Sequence, residues 1–130
     1  MGAVTAVLYA KRNSMFLSSL VLDSPFSDIQ VMVTDIAKLK LKIPKLLTKI
    51  ALRVMSSVIK SKIHFDILKL KPIEFVKHCT VPCCFIIGLE DELVLPKRIE
   101  EMRKAYKGDI KYKLESQGDH SSERETFILN

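Results

Sequence analysis

The fold of this chain is limited first by two short apolar runs, each closed by a turn. The run Leu17–Leu22 ends at the turn sequence 23–26, and the run Val81–Ile87 is entered through Pro82 and ends at Gly88. Apolar runs of this length that are bounded by Pro or Gly are typical of strands buried on both faces. We therefore predict two buried strands.

Helical patterns precede, separate and follow these strands. We predict a helix over Met1–Arg12, helical structure from about Ile29 to Lys62, a helix over Pro96–Tyr106 and a third strand over Ile110–Leu114. Strands that alternate with helices of this length are typical of parallel crossover units. The sequence therefore predicts an α/β fold with three parallel strands.

The central helical region is both apolar and basic. Lysines and an arginine alternate with an apolar stripe at three- and four-residue intervals, which comprises Ile43, Leu46, Leu47, Ile50, Val54, Met55 and Val58. We expect this stripe to face a core and the basic side chains to be solvated. Two alternatives stay open, a mobile lid over an active site and a helix that lies on a membrane surface.

Composition excludes several classes of protein. The chain has 130 residues, is 48% hydrophobic and carries a net charge of +6, which is compatible with one globular domain. No apolar run approaches the roughly 20 residues needed to cross a bilayer, so a cytoplasmic protein is expected. The basic segment lacks aromatic interleaving and any nucleic-acid-binding module, and we expect no nucleic-acid partner.

An acid and a histidine follow two of the predicted strands. Asp91 lies in the segment 88–94 (GLEDELV), and His120 lies in the segment 118–123 (GDHSSE), about 29 residues further on. Ligands and catalytic groups of parallel sheets lie beyond the carboxyl ends of the strands. Acid followed by histidine is also the chain order of the last two members of an α/β-hydrolase triad.

These motifs resemble the α/β-hydrolases of the serine aminopeptidase and prolyl-oligopeptidase-like kind. The segment 1–6 (MGAVTA) looks like the helix after a nucleophile elbow, and 21–26 (VLDSPF) looks like the sixth strand and its exit. The segment 88–91 looks like the acid turn, and 118–120 looks like the histidine loop. The resemblance implies the C-terminal half of the fold, with residues 1–28 as helix and strand, 29–78 as a helical cap insertion, and 79–130 as the acid and histidine part.

The resemblance also implies roles for individual residues. Asp91 would be the triad acid and His120 the general base, while the serine of the Gly-x-Ser-x-Gly elbow would precede Met1. The backbone amide of Met1 would then be an oxyanion-hole donor. Ser24 follows a strand but stands before Pro25, which favours a turn. No cofactor or metal is implied, because a triad needs none.

Each of these residues also has a simpler interpretation. Asp91 is placed to cap the turn before the next helix, and His120 is compatible with a solvated loop. The first hypothesis for function is a serine hydrolase that acts on an ester, amide or peptide bond, of which this chain alone would be inactive. The alternative is a non-catalytic remnant that binds a protein partner or an anionic membrane surface through its lysine-rich helices.

Overall fold

Three parallel strands organise the structure, a computed structural model that describes residues 1–64 and 66–123. They are β1 (Leu20–Asp23), β2 (Cys83–Gly88) and β3 (Lys111–Ser116), in the spatial order β1-β2-β3. In the register, Leu20 pairs with Cys83, and Cys83 pairs with Lys111. The predicted α/β class with three parallel strands is confirmed. Residues 124–130 of the segment assigned to the acid and histidine part lie outside the described residues.

The central strand β2 has the most buried sequence. Cys83, Phe85, Ile86 and Ile87 are all at most 5% exposed, because both faces of a central parallel strand are covered. The prediction of a strand buried on both faces is wrong for β1, because Leu20 and Leu22 are buried but Val21 is 61% exposed on the other face. Strand β3 alternates lysine and glutamate with apolar residues. Strand β1 begins later than the apolar run predicts, because the ladder starts where the Leu20 N–H donates to the Pro82 carbonyl at 2.8 Å.

Three helices belong with this sheet to one unit, made of Met1–Ser27 and the described residues from Pro72 onwards. They are α1 (Gly2–Asn13), α4 (Pro72–Val76) and α5 (Pro96–Ala105). Helix α1 contacts β1 and α4, and α5 contacts β2 and α4. A 3-10 turn at Ser14–Phe16 leads from α1 towards β1.

The core of this unit centres on Phe85 and Tyr106. Phe85 is fully buried and meets the Tyr106 ring edge-to-face, with the ring centroids 5.7 Å apart. The Tyr106 hydroxyl donates to the Val81 carbonyl at 2.7 Å, so the buried phenol has its partner. This contact fixes the chain after α5 against the start of β2.

Gly108 provides a test of this packing. A Cβ at Gly108 would lie 2.8 Å from Tyr106 Cε1 and 3.1 Å from the Thr80 carbonyl oxygen, whereas a Cβ at Gly2 would meet nothing within 4 Å. We expect Gly108→Ala to lower the free energy of unfolding by about 1–3 kcal/mol, the usual effect of overpacking. Urea unfolding followed by circular dichroism measures it. Gly2→Ala is the matched control, and an equal effect of the two substitutions would contradict the packing described.

The second unit, Asp28–Lys71, is helical. It contains α2 (Ile29–Leu39) and α3 (Lys45–Ile63), followed by a 3-10 turn at Ile67–Lys69 that contacts both helices. Asp28 caps α2 by accepting hydrogen bonds from the N–H groups of Gln30 and Val31. No helix within the described residues is both long enough and apolar enough to cross a membrane.

The prediction that the apolar stripe of this region faces a core is wrong. Helix α3 instead buries Thr48, Leu52 and Ser56, and the Ser56 hydroxyl donates to the Asp66 carboxylate at 3.1 Å. These positions recur every four residues on one face, which is the face that packs. The stripe residues are exposed, from 37% for Ile43 to 70% for Leu46. Helical periodicity grouped the apolar side chains on one side of α3, but it did not show which side of the helix packs.

Candidate active site

The candidate site lies at the carboxyl ends of β2 and β3, where the chain turns after each strand. Two backbone hydrogen bonds join the turns: Leu89 N–H donates to the Ser116 carbonyl at 2.9 Å, and Glu90 N–H donates to the Gly118 carbonyl at 3.1 Å. The turn that carries the acid and the loop that carries the histidine are therefore held together beyond the last strand pairs.

Asp91 is the buried acid of the site, and its carboxylate is 0% exposed. Oδ1 accepts hydrogen bonds from the N–H groups of Leu93 at 2.9 Å and Val94 at 2.7 Å, and Oδ2 lies 2.8 Å from Nδ1 of His120. Oδ1 therefore caps the turn, as the simpler interpretation predicts, and Oδ2 pairs with His120. A buried carboxylate with three partners has a fixed orientation.

His120 is the exposed partner, with 39% of its side chain accessible. An ionised carboxylate only accepts hydrogen bonds, so the neutral imidazole opposite Asp91 carries its proton on Nδ1. Nε2 is then unprotonated, and it has no hydrogen-bond partner in the part of the chain that the structure describes. The arrangement leaves a base with its free nitrogen available.

Asp119 shapes the loop that positions His120, a role that the sequence analysis did not assign. Its Oδ1 accepts from the N–H groups of Ser121 at 2.7 Å and Ser122 at 2.8 Å and from the Ser122 hydroxyl at 2.9 Å. These hydrogen bonds, that of Ser121 first, hold the pKa of Asp119 below its ordinary value. The signal was present, since an Asp followed closely by serines is typical of an Asx turn.

Gly118 is needed at the start of the same loop. Its φ of 151° lies in a region that side-chain-bearing residues rarely adopt, and a Cβ there would lie 2.8 Å from the Ser122 Cβ. The loop therefore depends on the glycine for its conformation and on Asp119 for its hydrogen bonds.

Met1 makes its hydrogen bonds at the start of α1 and not at the candidate site. It is the N-cap of α1, its carbonyl accepts from Val4 and Thr5, and it makes no hydrogen bond to Asp91 or His120. Its oxyanion-hole role stays a prediction. Ser24 is buried at the turn after β1, has a φ of 45°, and donates its N–H to the Ile86 carbonyl.

The three cysteines are not activated nucleophiles. Burial raises the pKa of Cys83 to about 12 and raises the pKa of Cys79 and of Cys84 as well. A thiol must lose its proton to act as a nucleophile, so these groups stay inert near neutral pH.

Comparison with known proteins identifies the fold. An esterase of Pyrococcus furiosus superimposes with a TM-score of 0.60 at 18% identity, over 92% of this chain and 42% of the esterase. An acetyl xylan esterase of Paenibacillus sp. R4 gives 0.64 at 13%, over 94% and 38% of the two chains. An α/β-fold hydrolase of Bacillus anthracis gives 0.63 at 10%, over 92% and 58%.

These likenesses show that the chain has part of an α/β-hydrolase fold. It spans about two fifths of the length of the two esterases. No family model and no curated protein matches the sequence.

Proposed function

We propose that Asp91 and His120 are the acid and the general base of a Ser-His-Asp triad in a hydrolase of acyl compounds. The observation that carries the proposal is the 2.8 Å contact between His120 Nδ1 and the buried Asp91 carboxylate, at the ends of adjacent parallel strands. In α/β-hydrolases these are the positions from which the acid and the histidine meet the serine.

The geometry supplies what proton transfer requires. Nε2 of His120 takes the proton of the attacking serine hydroxyl and later returns it to the leaving group. Asp91 holds the imidazole in the tautomer that leaves Nε2 free, and it stabilises the imidazolium that forms. Nε2 has no hydrogen-bond partner among the described residues, and the solved neighbours are longer than this chain, so we propose that a segment outside it supplies the serine. With that segment in place, the Met1 amide contributes to the oxyanion hole.

Small acyl esters are the substrate class that we favour. The solved neighbours include an acetyl xylan esterase, a monoacylglycerol lipase and an esterase of Pyrococcus furiosus. Amides and peptides are further substrates that the same chemistry allows. We also propose that the protein acts in the cytoplasm. No cofactor takes part in the mechanism.

Fluorophosphonate labelling tests the proposal, because the probe forms a covalent bond with an activated serine. We expect no labelling of the 130-residue chain and labelling of a longer polypeptide that includes the residues encoded upstream of Met1. His120→Ala in the longer form is the control and abolishes labelling. Labelling of the short chain would show that its nucleophile is not missing, and a folded but silent long form would rule out the hydrolase.

A further inference from the structure

The exposed face of α3 is an apolar surface that no described residue covers. Six of its side chains are each at least half exposed, from 50% to 70%: Leu46, Leu47, Ile50, Val54, Met55 and Val58. At about 100° per residue, the first four and Val58 lie within an arc of about 120°, and Met55 extends it to about 180°. We call these six residues the α3 apolar face.

A basic flank lies beside this face. Lys49, Arg53 and Lys60 fall within an arc of about 40° next to Leu46, between the apolar face and the packed face. The long aliphatic stems of Lys and Arg allow their charges to reach beyond an apolar surface on which the helix rests.

Positive charge extends along the whole segment between Asp35 and Asp66. No Asp or Glu occurs between Asp35 and Asp66, whereas the same interval holds eight basic residues: Lys38, Lys40, Lys42, Lys45, Lys49, Arg53, Lys60 and Lys62. This local excess of eight positive charges is larger than the net charge of +6 over all 130 residues. A binding surface that complements it is therefore both apolar and anionic.

We infer that the α3 apolar face binds the surface of an anionic phospholipid bilayer, with α3 parallel to the membrane plane. The apolar half enters the boundary between head groups and acyl chains, and the basic flank contacts lipid phosphates and carboxylates. The inference goes beyond the proposed hydrolase chemistry and does not depend on it.

Two other occupants fit this face less well. A second copy of the chain brings the same eight basic residues, so that like charges meet. Single-stranded nucleic acid binds through aromatic stacking, and none of the six side chains of the α3 apolar face is aromatic. A phospholipid surface supplies both features at once.

Vesicle flotation of the 130-residue chain tests the inference. We expect binding to phosphatidylcholine vesicles that contain about a third phosphatidylserine, and at least ten-fold weaker binding to pure phosphatidylcholine. Salt raised from about 0.1 to 1 M shortens the Debye length from about 10 to 3 Å and releases the electrostatic part of the binding.

Two sets of variants separate the contributions of charge and apolar contact. Lys49→Gln with Arg53→Gln is expected to weaken binding about 25-fold, since each basic residue near an anionic surface contributes about five-fold. Leu46→Gln with Ile50→Gln removes apolar contact from exposed positions, where glutamine keeps the helix propensity. Met15→Gln with Phe16→Gln changes exposed apolar residues elsewhere and is the matched control.

Binding that requires phosphatidylserine and weakens in both α3 variants, but not in the control, supports the membrane inference. Equal binding of the α3 variants and the control overturns it. Failure to bind vesicles overturns it too, and sedimentation velocity then shows whether the face joins two copies. Circular dichroism confirms that each variant keeps its helix content, so that loss of binding is not loss of fold.

Discussion

Replacing Asp91 with asparagine is expected to lower the turnover of a small acyl ester about 10⁴-fold, in a polypeptide that joins this chain to its nucleophile segment. The two oxygens of Asp91 explain why. Oδ1 accepts from the N–H groups of Leu93 and Val94, so the oxygen of an asparagine amide keeps that position. Its NH₂ group then faces Nδ1 of His120, in place of Oδ2.

The consequence for His120 is a change of tautomer. A donor opposite Nδ1 makes that nitrogen an acceptor, so the neutral imidazole carries its proton on Nε2 and no longer accepts one from serine. Steady-state hydrolysis of a chromogenic ester measures the loss. In the 130-residue chain itself, nitrogen-15 spectra of the imidazole report the tautomer without any need for activity.

Glu90→Gln is the matched control, because Glu90 is the exposed neighbour of Asp91 and joins the site through its backbone N–H alone. Its activity and imidazole spectrum are expected to match those of the parent. An Asp91→Asn variant with less than a ten-fold loss, or with an unchanged tautomer, is incompatible with the role given to Asp91.

Phe85→Ala is expected to have the largest effect on stability. Phe85 is 0% exposed in the central strand, and its replacement leaves a cavity beside the Tyr106 ring. Losses of about 3–5 kcal/mol are typical for a buried phenylalanine, which is a large part of the 5–15 kcal/mol of an ordinary domain. Urea unfolding followed by circular dichroism measures the change.

Phe16→Ala is the control for this experiment. Phe16 lies in the 3-10 turn after α1 and is 74% exposed, so its replacement is expected to change the free energy of unfolding by less than about 0.5 kcal/mol. A similar loss in both variants would mean that Phe85 is not in the core.

The sheet and the acid–histidine pair were accessible from the sequence because both follow from general rules. Parallel strands end at one edge of a sheet, so Asp91 and His120, which follow neighbouring strands, are brought to the same edge, and the loops then set their contact. The buried run that forms β2 was equally clear, since an uninterrupted apolar run needs cover on both faces.

Other features depend on partners that a sequence pattern does not identify. The periodicity of α3 groups Leu46 with Ile50 and Val54, but periodicity carries no information on whether another element covers them. The sequence also does not show that the two oxygens of Asp91 take different partners, one in the turn and one at His120. Strand β1 starts at Leu20 because the Leu20 N–H donates to the carbonyl of Pro82, a residue that is far from it along the chain.

The pairing of β1 with β2 has a consequence for synthesis on the ribosome. Leu20 meets its partner Cys83 only after about 60 further residues have been added. At 5–20 residues per second, β1 pairs with β2 no sooner than roughly 3–12 s after Leu20 is added. During that interval the edge of β1 that later pairs with β2 is open to chaperones and to other nascent chains, so the yield of folded protein is expected to depend on elongation rate.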